Sequence, residues 1–147
     1  MSEHSYKRHN KTLFLYHLVF PLKYRRKVID NRIGSTLKRI CEGIEERYEI
    51  KFIEIGYESD HVHFLVQSVP QYSVTKMVTM LKSITSKQLF KLHPEIKAIL
   101  WGGKFWTSGY YANTVGQYGS EEMIRNYVKN QGKEYNKVHT GQLKFDL

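Results

Sequence analysis

The chain has 147 residues, 41% of them hydrophobic and 14% aromatic, enough for one ordinary domain with its own core, which sets disorder aside. Lys and Arg outnumber Asp and Glu by 23 to 14, and the formal charge of +9 favours a polyanionic partner, nucleic acid first. The single cysteine, Cys41, excludes an intrachain disulfide framework, the N-terminus lacks a signal-peptide core, and no stretch approaches the roughly eighteen apolar residues of a membrane span, so a cytoplasmic protein is expected.

Residues 1–11 are polar and basic and read as a loose arm. Residues 12–20, Thr-Leu-Phe-Leu-Tyr-His-Leu-Val-Phe, form a nearly continuous apolar run of strand length, the pattern of a strand covered on both faces, ended by Pro21. His17 falls inside this run and reads as a core histidine rather than a ligand. Lys23, Tyr24, Arg25, Arg26 and Lys27 follow, four cations around one aromatic, a combination that binds phosphates by charge and stacks bases on a ring. From 30 to 48, Ile33, Leu37, Ile40, Cys41, Ile44 and Tyr48 recur at helical spacing despite Gly34 and Gly43.

Residues 52–57 alternate like a strand, and Glu58, Ser59 and Asp60 make a tight connection into a second strand that begins His61-Val62-His63-Phe64. After Pro70, Ser73 is a plausible N-cap for a helix running to about Lys91, with Val74, Met77, Val78, Leu81, Ile84, Leu89 and Phe90 on its dry side. Lys82 lies near its wet side and joins Lys23, Tyr24, Arg25 and Arg26 as a candidate DNA contact. His93 and Pro94 stop the helix, 95–104 reads as loop or short helix, and 105–115 as an aromatic-rich strand. Gly116 and Gly119 make a pliable joint before a last helix that starts at Ser120 and stops at Gly132, and 133–147 reads as a tail. The order strand, helix, strand, strand, helix, strand, with an additional C-terminal helix, is the α+β ferredoxin-like (split βαβ) plan with an antiparallel sheet, one domain over 1–147. Its first and third strands are expected at the centre.

Alternate residues of a strand share a face, so His61 and His63 point the same way, while Val62, Phe64 and Val66 occupy an apolar face that the first two helices should cover. A His-x-His pair arises by chance about 0.3 times in a chain with seven histidines, so the motif is weak alone. On the last helix, Tyr127 and Gln131 stand one turn apart on the same side as Met123, Ile124 and Val128. If that stripe packs over the histidine face, a phenol and an amide carbonyl arrive beside the imidazoles. His61, His63 and Gln131 would then hold a divalent ion, Mg²⁺ or Mn²⁺, and Tyr127 would act as nucleophile on a phosphodiester.

With these residues in view, the chain resembles the single-tyrosine HUH transposases of the smallest prokaryotic insertion sequences (IS200-like, TnpA-type). The resemblance runs over Tyr16-His17-Leu18-Val19-Phe20, Lys23-Tyr24-Arg25-Arg26, Asp60-His61-Val62-His63, Phe105-Trp106, Gly109-Tyr110-Tyr111, Thr114-Val115-Gly116 and Tyr127-Val128-Lys129-Asn130-Gln131. It implies His61, His63 and Gln131 as metal ligands and Tyr127 as the catalytic residue. It further implies hairpin-bearing single-stranded DNA as substrate and a homodimer in which one subunit's Tyr127 helix completes the other's site. A relaxase-like or domesticated hairpin-processing enzyme would use similar groups, and a non-catalytic single-strand-binding module is the reading from another class. The carboxylates do not favour a two-metal nuclease, and Asp60 reads as a turn residue before it reads as a support for His61.

Overall fold

The computed structural model describes residues 5–6, 11–100 and 103–116. The first two strands, β1 (Ser5–Tyr6) and β2 (Lys11–Thr12), pair antiparallel in a small sheet of their own. The N-terminal segment is therefore tied back on itself, at least through these residues, where a loose arm was expected. β3 (Phe14–Pro21) then leads to a tight turn over Lys23–Arg25 and to α1 (Asn31–Arg47), followed by β4 (Lys51–Glu58) and β5 (His61–Ser68). α2 (Val74–Leu92), the single-turn α3 (Ile96–Ile99) and β6 (Tyr111–Val115) complete the described order. The main sheet is antiparallel with order β4-β5-β3-β6, so the first and third long strands are central, as the ferredoxin-like plan requires.

Both long helices start at side-chain caps. Asp30 accepts from the Ile33 amide at 2.9 Å and Ser73 from the Lys76 amide at 3.0 Å, each satisfying an amide that the helix itself leaves unpaired. Ile33, Leu37, Cys41 and Ile44 of α1 join Met77, Val78, Leu81 and Leu89 of α2 over Leu18, Phe20, Val62, Phe64 and Val66 of the sheet. The face chosen for burial by alternation is the face the helices cover. A bulge between Phe52 and Glu54 shifts the register of β4 on β5, which keeps both Phe52 and Ile55 opposite core residues of β5 despite their odd spacing. Gly34 lets α1 approach β4: a Cβ there would run into the ring of Tyr57, whose hydroxyl donates to Asn31 Oδ1 at 2.9 Å.

The C-terminal end of α2 is pinned to α1. His93, its C-cap, takes Arg32 on one ring nitrogen at 2.6 Å and the Thr36 hydroxyl on the other at 2.8 Å, and Arg32 also reaches Glu95 at 2.7 Å.

The strand expected over 105–115 is confined to 111–115. Before it, the backbone makes a single bridge, Leu22 to Trp106, and then turns its carbonyls elsewhere. Lys82 Nζ donates to the carbonyls of Thr107, Ser108 and Gly109 at 2.8, 3.2 and 2.8 Å, a gathering of three oxygens that an extended ladder cannot offer. The Trp106 indole N–H meanwhile donates to the buried Thr85 hydroxyl at 2.9 Å, and this places the ring in the core beside Phe20 and Phe105. The joint at Gly119, the helix carrying Tyr127 and Gln131, and the tail lie outside the described residues; Gly116 ends β6 and is exposed.

Candidate metal and DNA-cleavage site

His61 and His63 project from β5 on the face opposite the helices. Their ring centroids lie 5.9 Å apart. His63 stands opposite Val19 on β3 and Gly56 on β4, and His61 opposite Pro21 and Glu58. Gly56 makes room for the site, since a Cβ there would collide with the His63 ring. His17 belongs to the same face: its ring is 6.4 Å from His63 and 6.1 Å from Tyr111. It is buried, as a core histidine should be, but against the imidazole pair rather than under the helices.

The two paired imidazoles are held differently. His61 Nδ1 lies 2.8 Å from Asp60 Oδ1. The Asp60 carboxyl sits below its ordinary range, first because of this hydrogen bond and then, against some opposing burial, because of the Arg25 charge. An ionised carboxylate only accepts, so Nδ1 carries the proton and Nε2 is left as the lone-pair nitrogen, the tautomer a metal ligand needs. Asp60 sits in the turn at 59–60, as expected, and also supports His61 directly, the role ranked second from the sequence. His63 is 1% exposed, and its Nδ1 has no hydrogen-bond partner among the described residues. Burial and the neighbouring imidazoles push its pKa down to about 3, and burial alone lowers that of His17 to about 4. Held by Asp60 on one side and by burial on the other, and aimed to one side of the sheet, the pair fits a divalent ion; a buried ring nitrogen that no described protein atom satisfies, as on His63, is what a coordination bond takes up. Among the described residues no third His, Cys, Asp or Glu completes a cluster. The third ligand expected at Gln131 and the nucleophile expected at Tyr127 lie outside them.

The basic turn is built against this site. Leu22 N–H donates to the Asp60 carbonyl at 2.9 Å, and the Ser59 carbonyl accepts from both Val28 and Ile29 at 2.9 Å. Residues 22–29 therefore wrap the loop that leads into His61. Tyr24 and Arg25 both have positive φ, 58° and 52°, which for side-chain-bearing residues costs of order 1 kcal/mol each. Tyr24 is 63% exposed, with Lys23 Nζ 5.1 Å from its ring centre, while Arg25 turns back to Asp60 at 3.1 Å. Arg26 is exposed. A cleft of about 460 Å³ between α2 and the 103–110 segment, with Trp106 in its wall, is lined by Lys82, Lys87, Lys104, Ser83 and Tyr110. Lys82 is on its wall, but its ammonium is engaged by the three loop carbonyls and sits 5.4 Å from the Tyr110 ring centre. Sequence reasoning missed this cleft, the role of Gly56 and the reach of Arg25; Asp60 preceding His61 was the one local signal of the support it provides.

An antiparallel ferredoxin-like sheet that presents two imidazoles from one strand beside a basic turn defines an α+β architecture with the groups that phosphate chemistry uses. Residues 10–131 match the family model described as "Transposase IS200 like", and the chain belongs to that family of DNA transposases, which act in DNA recombination within insertion sequences. It is 31% identical over 116 residues to the ISDra2 transposase TnpA of Deinococcus radiodurans, spanning 79% of this chain and 82% of that protein. It is 32% identical over 123 residues to the transposase for insertion sequence element IS200 of Salmonella typhimurium, spanning 81% and 77%. Among solved structures, a Deinococcus radiodurans R1 protein described as a transposase superposes with a TM-score of 0.70 at 28% identity, covering 86% of this chain and 97% of that one. A REP-associated tyrosine transposase bound to a REP hairpin shares the fold, with a TM-score of 0.57 at 14% identity over 98% of this chain and 77% of that one. No helix among the described residues is long and apolar enough to cross a membrane.

Proposed function

We propose that this transposase cleaves and rejoins single-stranded DNA at hairpin-flanked element ends through a tyrosine nucleophile beside a divalent-metal site. The carrying observation is the imidazole pair: His61 with its tautomer set by Asp60, and His63 with a buried ring nitrogen that the described protein atoms leave unsatisfied. His61, His63 and the side-chain carbonyl of Gln131 would hold Mg²⁺ or Mn²⁺. When bound, such an ion polarises the scissile phosphate and offsets the charge that develops on its oxygens.

Tyr127 Oη gives up its proton and attacks phosphorus. The bond to the 3′ oxygen breaks, that oxygen takes up through water the proton the phenol released and leaves as a 3′-OH, and the 5′ phosphate stays on the tyrosine. Attack by another strand's 3′-OH reverses the exchange and frees the phenol, so no nucleotide cofactor is consumed. Lys23, Tyr24, Arg25 and Arg26 stand next to the His61 loop and suit a phosphate backbone with an unpaired base, whereas Lys82, its three ammonium donors taken by the loop carbonyls, adds positive charge to the cleft wall rather than a direct hydrogen bond to the strand. β6 closes the order of the main sheet, which supports a homodimer paired across that strand with active sites shared between subunits. The solved relative carrying a REP hairpin is consistent with hairpin DNA as the substrate here.

Incubating the protein with Mn²⁺ and single-stranded oligonucleotides carrying the element's end hairpins should give a covalent protein–DNA adduct on a denaturing gel. Tyr127→Phe should lose the adduct and keep DNA binding. Undiminished adduct from that variant would end the assignment.

A further inference from the structure

We propose that Arg25 is a positioning residue for the histidine site, acting through Asp60 to fix the tautomer and tilt of His61; this rests on the reading of His61 as a metal ligand. The guanidinium and the imidazole divide one carboxylate between them. Arg25 takes Oδ2 at 3.1 Å and His61 Nδ1 takes Oδ1 at 2.8 Å. The terminal torsion of an aspartate is broad, so a carboxylate bound through one oxygen can swing away from the ring it supports. A donor on the second oxygen stops that rotation.

Three features distinguish this arrangement from an ordinary surface ion pair. First, the Asp60 side chain is 21% exposed and the His61 side chain 7%, so the chain of contacts runs inward from a half-exposed guanidinium to a buried ring. Second, the main chain reinforces it: the Leu22 amide binds the Asp60 carbonyl, and Val28 and Ile29 both bind Ser59. Side-chain and backbone contacts from one segment converge on the two residues that precede His61. Third, two successive residues with positive φ, Tyr24 and Arg25, form the turn closed by Arg26 N–H on the Lys23 carbonyl at 3.3 Å. That geometry is ordinarily given to Gly and Asn, and backbone strain of this kind collects at functional sites. Here it turns the Arg25 side chain toward Asp60 while Tyr24 faces solvent.

The test uses the full-length protein and two readouts. Calorimetric Mn²⁺ titration in the absence of DNA is compared for wild type, Arg25→Ala, Arg25→Lys, Arg26→Ala, Asp60→Asn, the Arg25→Ala/Asp60→Asn double variant and His61→Ala. Long-range ¹H–¹⁵N NMR of the metal-free protein reads the His61 tautomer. Asp60→Asn should weaken Mn²⁺ binding roughly 10- to 100-fold, and Arg25→Ala about 3- to 10-fold through the same support. Arg25→Lys should recover part of the loss, Arg26→Ala should match wild type, and the double variant should be no worse than Asp60→Asn alone. The NMR spectrum should show a single Nδ1–H form for wild type and a mixture for Arg25→Ala. Wild-type Mn²⁺ affinity with an unmixed tautomer in Arg25→Ala, or losses that add in the double variant, would overturn the proposal. Wild-type affinity in His61→Ala would instead remove the metal-site reading, and the tautomer spectrum would still decide whether Arg25 governs His61.

Discussion

The imidazole of His63 lies against Gly56 on the neighbouring strand, at a spot where any side chain would occupy the ring's own space. Glycine in a strand interior gives up packing and conformational restriction, and here the return is a seat for a candidate ligand. Gly56→Ala should displace the ring, weaken Mn²⁺ binding by more than about tenfold and destabilise the metal-free protein by about 1–3 kcal/mol through overpacking. Calorimetry and urea unfolding measure the two effects. Unchanged metal affinity in a folded Gly56→Ala protein would show that His63 is not held by this contact.

The metal-free protein should lose stability in mild acid. Burial lowers His17 to about 4 and, with its neighbours' charges, His63 to about 3, whereas in the unfolded chain both titrate near the ordinary value of 6.5. Between these values the unfolded state binds more protons than the folded one, so stability is fully present above about pH 6.5 and declines as pH falls toward 4, by up to roughly 1 kcal/mol per pH unit for each ring. Urea unfolding at pH 7 and pH 5 should differ accordingly, and His17→Leu should flatten the dependence. A profile that is level from 7 to 5 would contradict the burial of these rings in neutral form.

Tyr24 presents opposite demands on stability and binding. Asn tolerates positive φ far better than Tyr, so Tyr24→Asn should stabilise the fold by about 1 kcal/mol. The same change removes an exposed ring and should weaken single-stranded DNA binding by about 1–3 kcal/mol if one base stacks there. Thermal unfolding and fluorescence anisotropy, run on the same preparation, separate the two.

Thr85 carries a buried hydrogen bond on which the last described segment depends. Its hydroxyl receives the Trp106 indole N–H and donates to the Leu81 carbonyl at 2.7 Å. Thr85→Val keeps the shape and strands the indole N–H, which should cost about 1–3 kcal/mol in urea unfolding. Enhanced hydrogen exchange should be concentrated in 105–110. Thr85→Ser should be milder, because it keeps the acceptor.

The architecture was legible where periodicity decides it. Val62, Phe64 and Val66 against His61 and His63 is a two-residue alternation, and the central placement of the first and third long strands followed from the element order. Local pattern failed where a distant group takes over the backbone. The aromatic run at 105–110 looks like a strand, but Lys82, more than twenty residues earlier, claims its carbonyls, and Trp106 is drawn to Thr85. The pairing of Ser5–Tyr6 with Lys11–Thr12 escaped notice because two-residue strands carry no periodic signal. At the site, the histidines were visible from spacing, whereas Arg25 and Asp60 are 35 residues apart and only the folded turn brings them together.

Hairpin tips are ordinarily where a chain accepts extra residues at little cost. The tip at Ser59 and Asp60 is an exception, because residues 22–29 grip it by main chain and side chain and it sets the position of the next residue, His61. A peptide epitope or fluorophore tag spliced there would disconnect the imidazole from its support even if the sheet survived. Exposed Pro70 and Gln71, between β5 and α2, are the better place for such a graft.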